Sequence, residues 1–122
     1  MGVAACLLAT ASAAADPCLA ALPDRPGQTF GGIVQYVGDG DSLCVGPTRD
    51  PRTWIEVRLA DWDAAELSAP GGQTARSRLQ RRVLGRAVRC IATRGRSGRV
   101  TVYDRVIALC RLGHSNLGDL LR

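Results

Sequence analysis

Three carboxylates and two arginines stand at ordered positions in this chain. Asp41 lies in Asp39-Gly40-Asp41-Ser42, Asp63 and Glu66 follow Arg58 in Arg58-Leu-Ala-Asp-Trp-Asp63-Ala-Ala-Glu66, and Arg105 closes Tyr103-Asp104-Arg105. Carboxylate oxygens hold a hard divalent cation and position a water, while guanidinium groups grip phosphate in a planar, two-pronged geometry. Together they are the equipment for metal-assisted attack on a phosphodiester. Taken alone, Asp39-Gly40-Asp41 reads as an ordinary Asx turn, and Glu66 and the arginines read as solvated or ion-pairing surface groups.

Alternation and turn residues set the elements that must carry these groups. Thr29 to Val37 reads as a strand, Gly38 to Asp41 as a turn, and Ser42 to Val45 as the start of a second strand. Trp54 to Ala60 alternates, with Ile55, Val57 and Leu59 on one face and Glu56 and Arg58 on the other, so Arg58 points away from the buried face. Pro70-Gly-Gly72 opens a helix ending near Gly85, with Ala75, Leu79 and Val83 as its apolar stripe. Its arginines (Arg76, Arg78, Arg81 and Arg82) read as a solvated face. Ala87 to Thr93 and Val100 to Leu112 are two further strands, joined by the turn Arg94 to Arg99. Ser115 is placed to cap a last helix, Asn116 to Arg122.

These segments resemble the staphylococcal (thermonuclease-type) nuclease family. Its pattern runs Asp-Gly-Asp-Thr, then Arg-Leu-x-x-x-Asp-x-Pro-Glu, then a Gly-x-x-Ala helix, then Tyr-Gly-Arg-x-x-Ala. The matching segments here are Asp39 to Ser42, Arg58 to Glu66, Gly71 to Ala75 and Tyr103 to Ala108, in that order, within a stretch from Phe30 to Leu121. The resemblance implies a mainly β, α+β fold: a five-stranded OB barrel with flanking helices, a fold that binds nucleic acid on one barrel face. Family members continue with a further helix, so the resemblance also implies a domain short at its carboxyl end. Barrel surface would then be left to water or to a partner chain.

The same resemblance implies a calcium-dependent nuclease cleaving DNA or RNA with little sequence preference and leaving 3′-phosphate ends. Asp41, Asp63 and the backbone carbonyl of Ala64 match its calcium ligands, with Asp39 in the outer shell. Glu66 matches the residue that works on the attacking water, and Arg58 and Arg105 match the phosphate-gripping arginines. Tyr103 is placed either to stack on a base or to pack on the barrel. Ala64 stands for the usual Thr, Ala65 for the usual Pro and Asp104 for the usual Gly. Asp104 sets a carboxylate beside Arg105, to pair with it or to repel substrate. The rival expectation is an OB-fold nucleic-acid-binding module without turnover.

Composition agrees with a polyanionic partner: net charge is +5, and all 16 basic residues are Arg. At 122 residues there is room for one small core. Residues 1–15 carry no charge and end in Ala13-Ala-Ala15, which reads as a signal peptide. Residues 16–28, with Pro17, Pro23 and Pro26, read as an extended lead-in to a domain over 29–122. The expected location is the periplasm or the exterior, without stable membrane association. Removing the leader takes Cys6 with it and leaves four cysteines, an even number that reads as two disulfides in an oxidising compartment. Cys90 and Cys110 lie on strands joined by a short turn and are expected to bridge, which leaves Cys18 for Cys44.

Overall fold

A computed structural model describes residues 16–122; the expected leader lies outside them. Five strands form the barrel. β1 (Thr29–Asp39) pairs antiparallel with β2 (Ser42–Gly46), and β2 with β3 (Ile55–Leu59). On its other edge β1 pairs with β4 (Ala87–Ala92), and β4 with β6 (Arg105–Leu112). β3 then pairs parallel with β6, Val57 opposite Val106 and Leu59 opposite Ala108, and the sheet closes on itself. The result is the mainly β, OB-like barrel with helices that the sequence led us to expect. Two irregularities in the β1–β2 register, between Val34 and Tyr36 and between Val37 and Asp39, supply the bending that a small closed barrel needs.

The alternation of each strand decides what enters the core. Val34, Val37, Leu43, Val45, Val57, Leu59, Val88, Val106 and Ala108 point inward and are buried. Helix α1 (Gly72–Val83) lays Leu79 and Val83 onto this core, as its apolar stripe dictates. A short helix, α2 (Leu117–Leu121), adds Leu117 and Leu121. Exposed large apolar side chains (Leu19, Leu67, Leu84, Ile91 and Tyr103) fall on separate segments.

Three local features differ from the sequence reading. The expected strand Val100 to Leu112 is a hairpin: β5 (Thr101–Val102) turns through Tyr103-Asp104 into β6, with Val102 opposite Arg105. Both turn residues have left-handed backbone, with φ of 52° and 61°, as a two-residue type I′ turn demands. No Gly or Asn advertises it. The last helix is capped by position at Asn116, not Ser115, which lies in β7 (Ser115–Asn116) paired with the end of β6. Arg76 is only partly solvated: its Nε donates to the Val37 carbonyl at 3.0 Å, and its guanidinium lies 5.9 Å from the Tyr36 ring centre.

Both disulfides form as expected. Cys90 and Cys110 are direct cross-strand partners, and Cys18–Cys44 staples the lead-in to β2. Leu19 N–H and Ala20 N–H extend that attachment by donating to the Pro51 and Trp54 carbonyls. Among the described residues no helix is long and apolar enough to cross a membrane.

Two outcomes follow. Replacing Cys90 and Cys110 with Ala should lower unfolding free energy by about 3 kcal/mol, the chain-entropy value for a loop of this length, read from urea unfolding under non-reducing conditions. Asp104→Gly should raise it by up to about 1 kcal/mol, because Gly adopts φ near 60° without steric cost, read in the same assay.

Candidate functional site

The barrel register brings the predicted residues together from both halves of the chain. Ser42 lies opposite Arg58, and Arg58 opposite Ile107, so the start of β2, the end of β3 and the first residues of β6 are neighbours. Leu59 N–H donates to the Asp41 carbonyl at 2.9 Å, fixing the Asp39–Asp41 turn against β3. That turn is itself an Asx turn: Asp39 Oδ1 accepts from the Asp41 N–H at 3.1 Å and from the Ser42 hydroxyl at 2.7 Å. Gly40 sits where a Cβ would come within 2.5 Å of Ala64 Cβ and 2.6 Å of Ala75 Cβ. Only Gly lets the turn pack this closely on the following loop and on α1.

Asp41 is the buried carboxylate of the group, 6% exposed. Its Oδ2 accepts from the Ala64 N–H at 2.8 Å and lies 3.4 Å from Arg58 Nη2. The same Nη2 lies 2.5 Å from Asp63 Oδ1, while Arg96 holds Asp63 Oδ2 at 3.0 Å. Arg58 Nη1 donates to the Leu59 and Trp62 carbonyls, which fixes the guanidinium in place. Thus two carboxylates converge on one positive centre. Asp61 ties down the same loop by accepting from Gly118 N–H at the start of α2, at 3.1 Å.

Charge is poised unevenly here. Burial, and then the neighbouring Asp39, push the Asp41 carboxyl up to about 6 against the pull of Ala64 N–H and Arg58. For Asp39, burial is outweighed by hydrogen bonds from Asp41 and Ser42 and by the charge of Arg105, and its carboxyl is held below the usual range. Of the two carboxyls, Asp41 is therefore the one that takes up a proton first as pH falls. Asp63 is held low, chiefly by the Arg58 hydrogen bond.

The predicted residues divide between two clefts. Arg58, Asp63, Tyr103 and Arg105 line one of about 440 Å³, together with Arg96. Tyr103 stands at its rim, 85% exposed, rather than packed on the barrel. Glu66 is exposed and lines the other cleft, of about 680 Å³, with Asp39, Tyr36, Asp16 and Gln73. Glu66 makes no side-chain hydrogen bond or ion pair with the arginines of the first cleft.

Sequence reasoning passed over Arg96 and Glu56. Arg96 comes from the turn after β4, and nothing local ties it to Asp63. Glu56 was legible in part, since alternation sets it on the face of Arg58. Burial, and then a hydrogen bond with Asp16, push its carboxyl up to about 7, while the charge of Arg105 pulls the other way.

The residues suit a hard cation in part. Asp41 and Asp63 already meet at one positive centre, and the raised Asp41 carboxyl marks negative charge that its neighbours leave under-compensated. Among the described residues no third carboxylate, thiol or imidazole joins them. Further ligands would have to be the Ala64 carbonyl and water, an incomplete cage that calcium tolerates. No family model matches this sequence. No curated protein matches it either.

The raised Asp41 carboxyl has a consequence for stability. Between its unfolded value near 3.8 and its folded value of about 6, the native protein binds more protons than the unfolded chain, so stability falls as pH rises through this window. Asp41→Asn keeps an acceptor for Ala64 N–H and has no charge to bury. In chelator, the thermal midpoint of the wild type should decline from pH 4 to pH 6 more steeply than that of Asp41→Asn. Parallel profiles would refute the assignment.

Proposed function

We propose that this protein is an exported, calcium-dependent nuclease that hydrolyses phosphodiester bonds of DNA or RNA with little sequence specificity. One observation carries the reading: Arg58, Asp63, Tyr103 and Arg105 line a single cleft, with the buried Asp41 directly behind Arg58. Two arginines, a carboxylate pair and an exposed aromatic ring are what a phosphodiester between two nucleosides would engage. The cysteine pairing supports an oxidising compartment.

In this reading Asp41 and Asp63 would hold the calcium ion, with the Ala64 carbonyl as a further ligand and Asp39 adding negative charge behind them. The ion supplies a Lewis acid for a phosphoryl oxygen. With a cation compensating the carboxylates, the Arg58 fork, now paired with Asp41 and Asp63, would be free to grip the scissile phosphate. Arg105, which has no carboxylate within ion-pairing distance among the described residues, is available to the same phosphate from the other strand. The two guanidinium groups neutralise charge that builds on the phosphoryl oxygens in the transition state. Tyr103 offers a ring for a base or sugar beside that phosphate. Glu66 positions the attacking water and takes its proton, which requires its exposed loop to swing toward the first cleft as substrate binds.

The alternative is an OB-like module that binds nucleic acid without turnover, and the separation of Glu66 from the arginines is the observation that favours it. The two readings part on rate. Release of acid-soluble nucleotides from single-stranded DNA by the oxidised protein should require calcium and stop with chelator. Glu66→Gln should cut the rate by orders of magnitude while leaving binding unchanged. Arg58→Lys should cut it by about a hundredfold or more, because an ammonium cannot make the planar double contact. A folded protein that binds single-stranded DNA but releases nothing with calcium would leave the binding module standing.

A further inference from the structure

The outer face of the barrel carries a second cluster of positive charge, away from the cleft. Arg89 on β4 and Arg111 on β6 are direct cross-strand partners, and both are exposed. Like charges placed opposite each other on a sheet destabilise it. Nothing in the row relieves them: Gly31 stands beside Arg89 on β1, and Asn116 stands beside Arg111 on β7. Neither arginine has a carboxylate partner within ion-pairing distance among the described residues. The next row on the same face is apolar: Ile91, 41% exposed, lies opposite Leu109.

This row is in line with the cleft. Arg105, Ile107, Leu109 and Arg111 alternate along the outer face of one strand. Six residues of strand separate Arg105 from Arg111, about 20 Å at 3.3 Å per residue. Ile107 is covered by the turn after β4, where Gly95 packs against its side chain. That turn presents Arg94, Arg96 and Arg99 to solvent, so the cover is itself positive. Positive side chains thus flank the apolar Ile91–Leu109 row on both sides, Arg94 and Arg99 of the turn on the cleft side, beside the Asp63-paired Arg96, and Arg89 with Arg111 on the other.

We propose that the Arg89–Arg111 row is a second phosphate-binding site for the same single strand that enters the cleft, reached about six nucleotides away at a stacked rise of 3.4 Å and fewer if the strand is extended. The inference rests on the nucleic-acid reading above. A single strand fits better than a duplex, because the exposed Tyr103 ring and the Ile91–Leu109 surface offer contacts to bases that pairing would hide. The site makes the protein prefer longer strands. Phosphates at the second row hold the chain while the cleft engages a bond near its other end.

The test is binding in chelator, which separates affinity from turnover. The probes are a dinucleotide, too short to reach from the cleft to the row even when extended, and a dodecanucleotide of the same composition. Wild type should bind the longer probe more tightly and with a steeper salt dependence. Arg89→Gln with Arg111→Gln should reduce the slope of log affinity against log salt by about 1.4 for the longer probe, at 0.7 per lost phosphate contact, and leave the shorter probe unchanged. The double variant should also unfold at a higher temperature than wild type at low salt, since it removes the facing charges, and this confirms that it is folded. Equal affinity and slope of the two proteins for the dodecanucleotide would overturn the second site while leaving the cleft reading intact. Loss of affinity for vesicles containing phosphatidylserine, with oligonucleotide binding untouched, would overturn it in favour of a membrane surface. Failure of wild type to bind either oligonucleotide would overturn the nucleic-acid reading and this site with it.

Discussion

The parallel pairing of β3 with β6 is the interaction on which the rest of the molecule depends. Without it the sheet is an open ribbon with two unpaired edges, and Arg58 and Arg105 belong to separate regions. With it, each backbone edge finds a partner and inward-facing Val57, Leu59, Val106 and Ala108 meet in one core. Alternation then forces the intervening residues outward. The register that buries Val57 against Val106 is therefore the same register that sets Arg58 and Arg105 along one cleft. A one-residue slip would turn Arg58 into the core and Leu59 into the cleft, so the cost of burying a guanidinium protects the geometry of the site.

The second constraint is steric. The Asp39–Asp41 turn must approach both the loop after β3 and the first turns of α1, and Gly40 is what allows it. That contact carries Ala64 N–H to the Asp41 carboxylate and gives the carboxylate its mixed environment: buried, hydrogen-bonded by one amide, beside a second carboxylate and facing one arginine. The raised proton affinity of Asp41 follows from this arrangement, in which the favourable contacts fall short of the burial cost.

Much of this was legible in the sequence, for physical reasons that differ by residue. The inward set of β3 was readable because alternation over Ile55 to Leu59 has a period of two and no competing reading. The stripe Leu79–Val83 was readable for the corresponding reason in a helix. The turn at Tyr103-Asp104 was not, because the backbone there is dictated by strand pairing on both sides rather than by a residue that prefers φ > 0. The grip of Arg96 on Asp63 was invisible because two exposed side chains from distant segments share no local pattern. Arg76 was misread for the opposite reason: its helix face looked solvated, yet the β1 carbonyl of Val37 and the Tyr36 ring stand within reach. The sequence could nominate Glu66, but its place beside Asp39 rather than beside the arginines depends on the course of an irregular loop.

The pairing of the cysteines bears on how the fold is reached. Among the four cysteines of the described residues, the first joins the second and the third joins the fourth. Where the chain enters an oxidising compartment amino end first, oxidation of these four in order of arrival yields the native bonds, since Cys18 meets Cys44 before Cys90 and Cys110 arrive. The first bond locks the lead-in to the β1–β2 hairpin before β4 and β6 arrive to close the barrel. Such a connectivity needs no reshuffling of mispaired intermediates, and the chain can acquire its covalent frame as it enters that compartment rather than after it has all arrived.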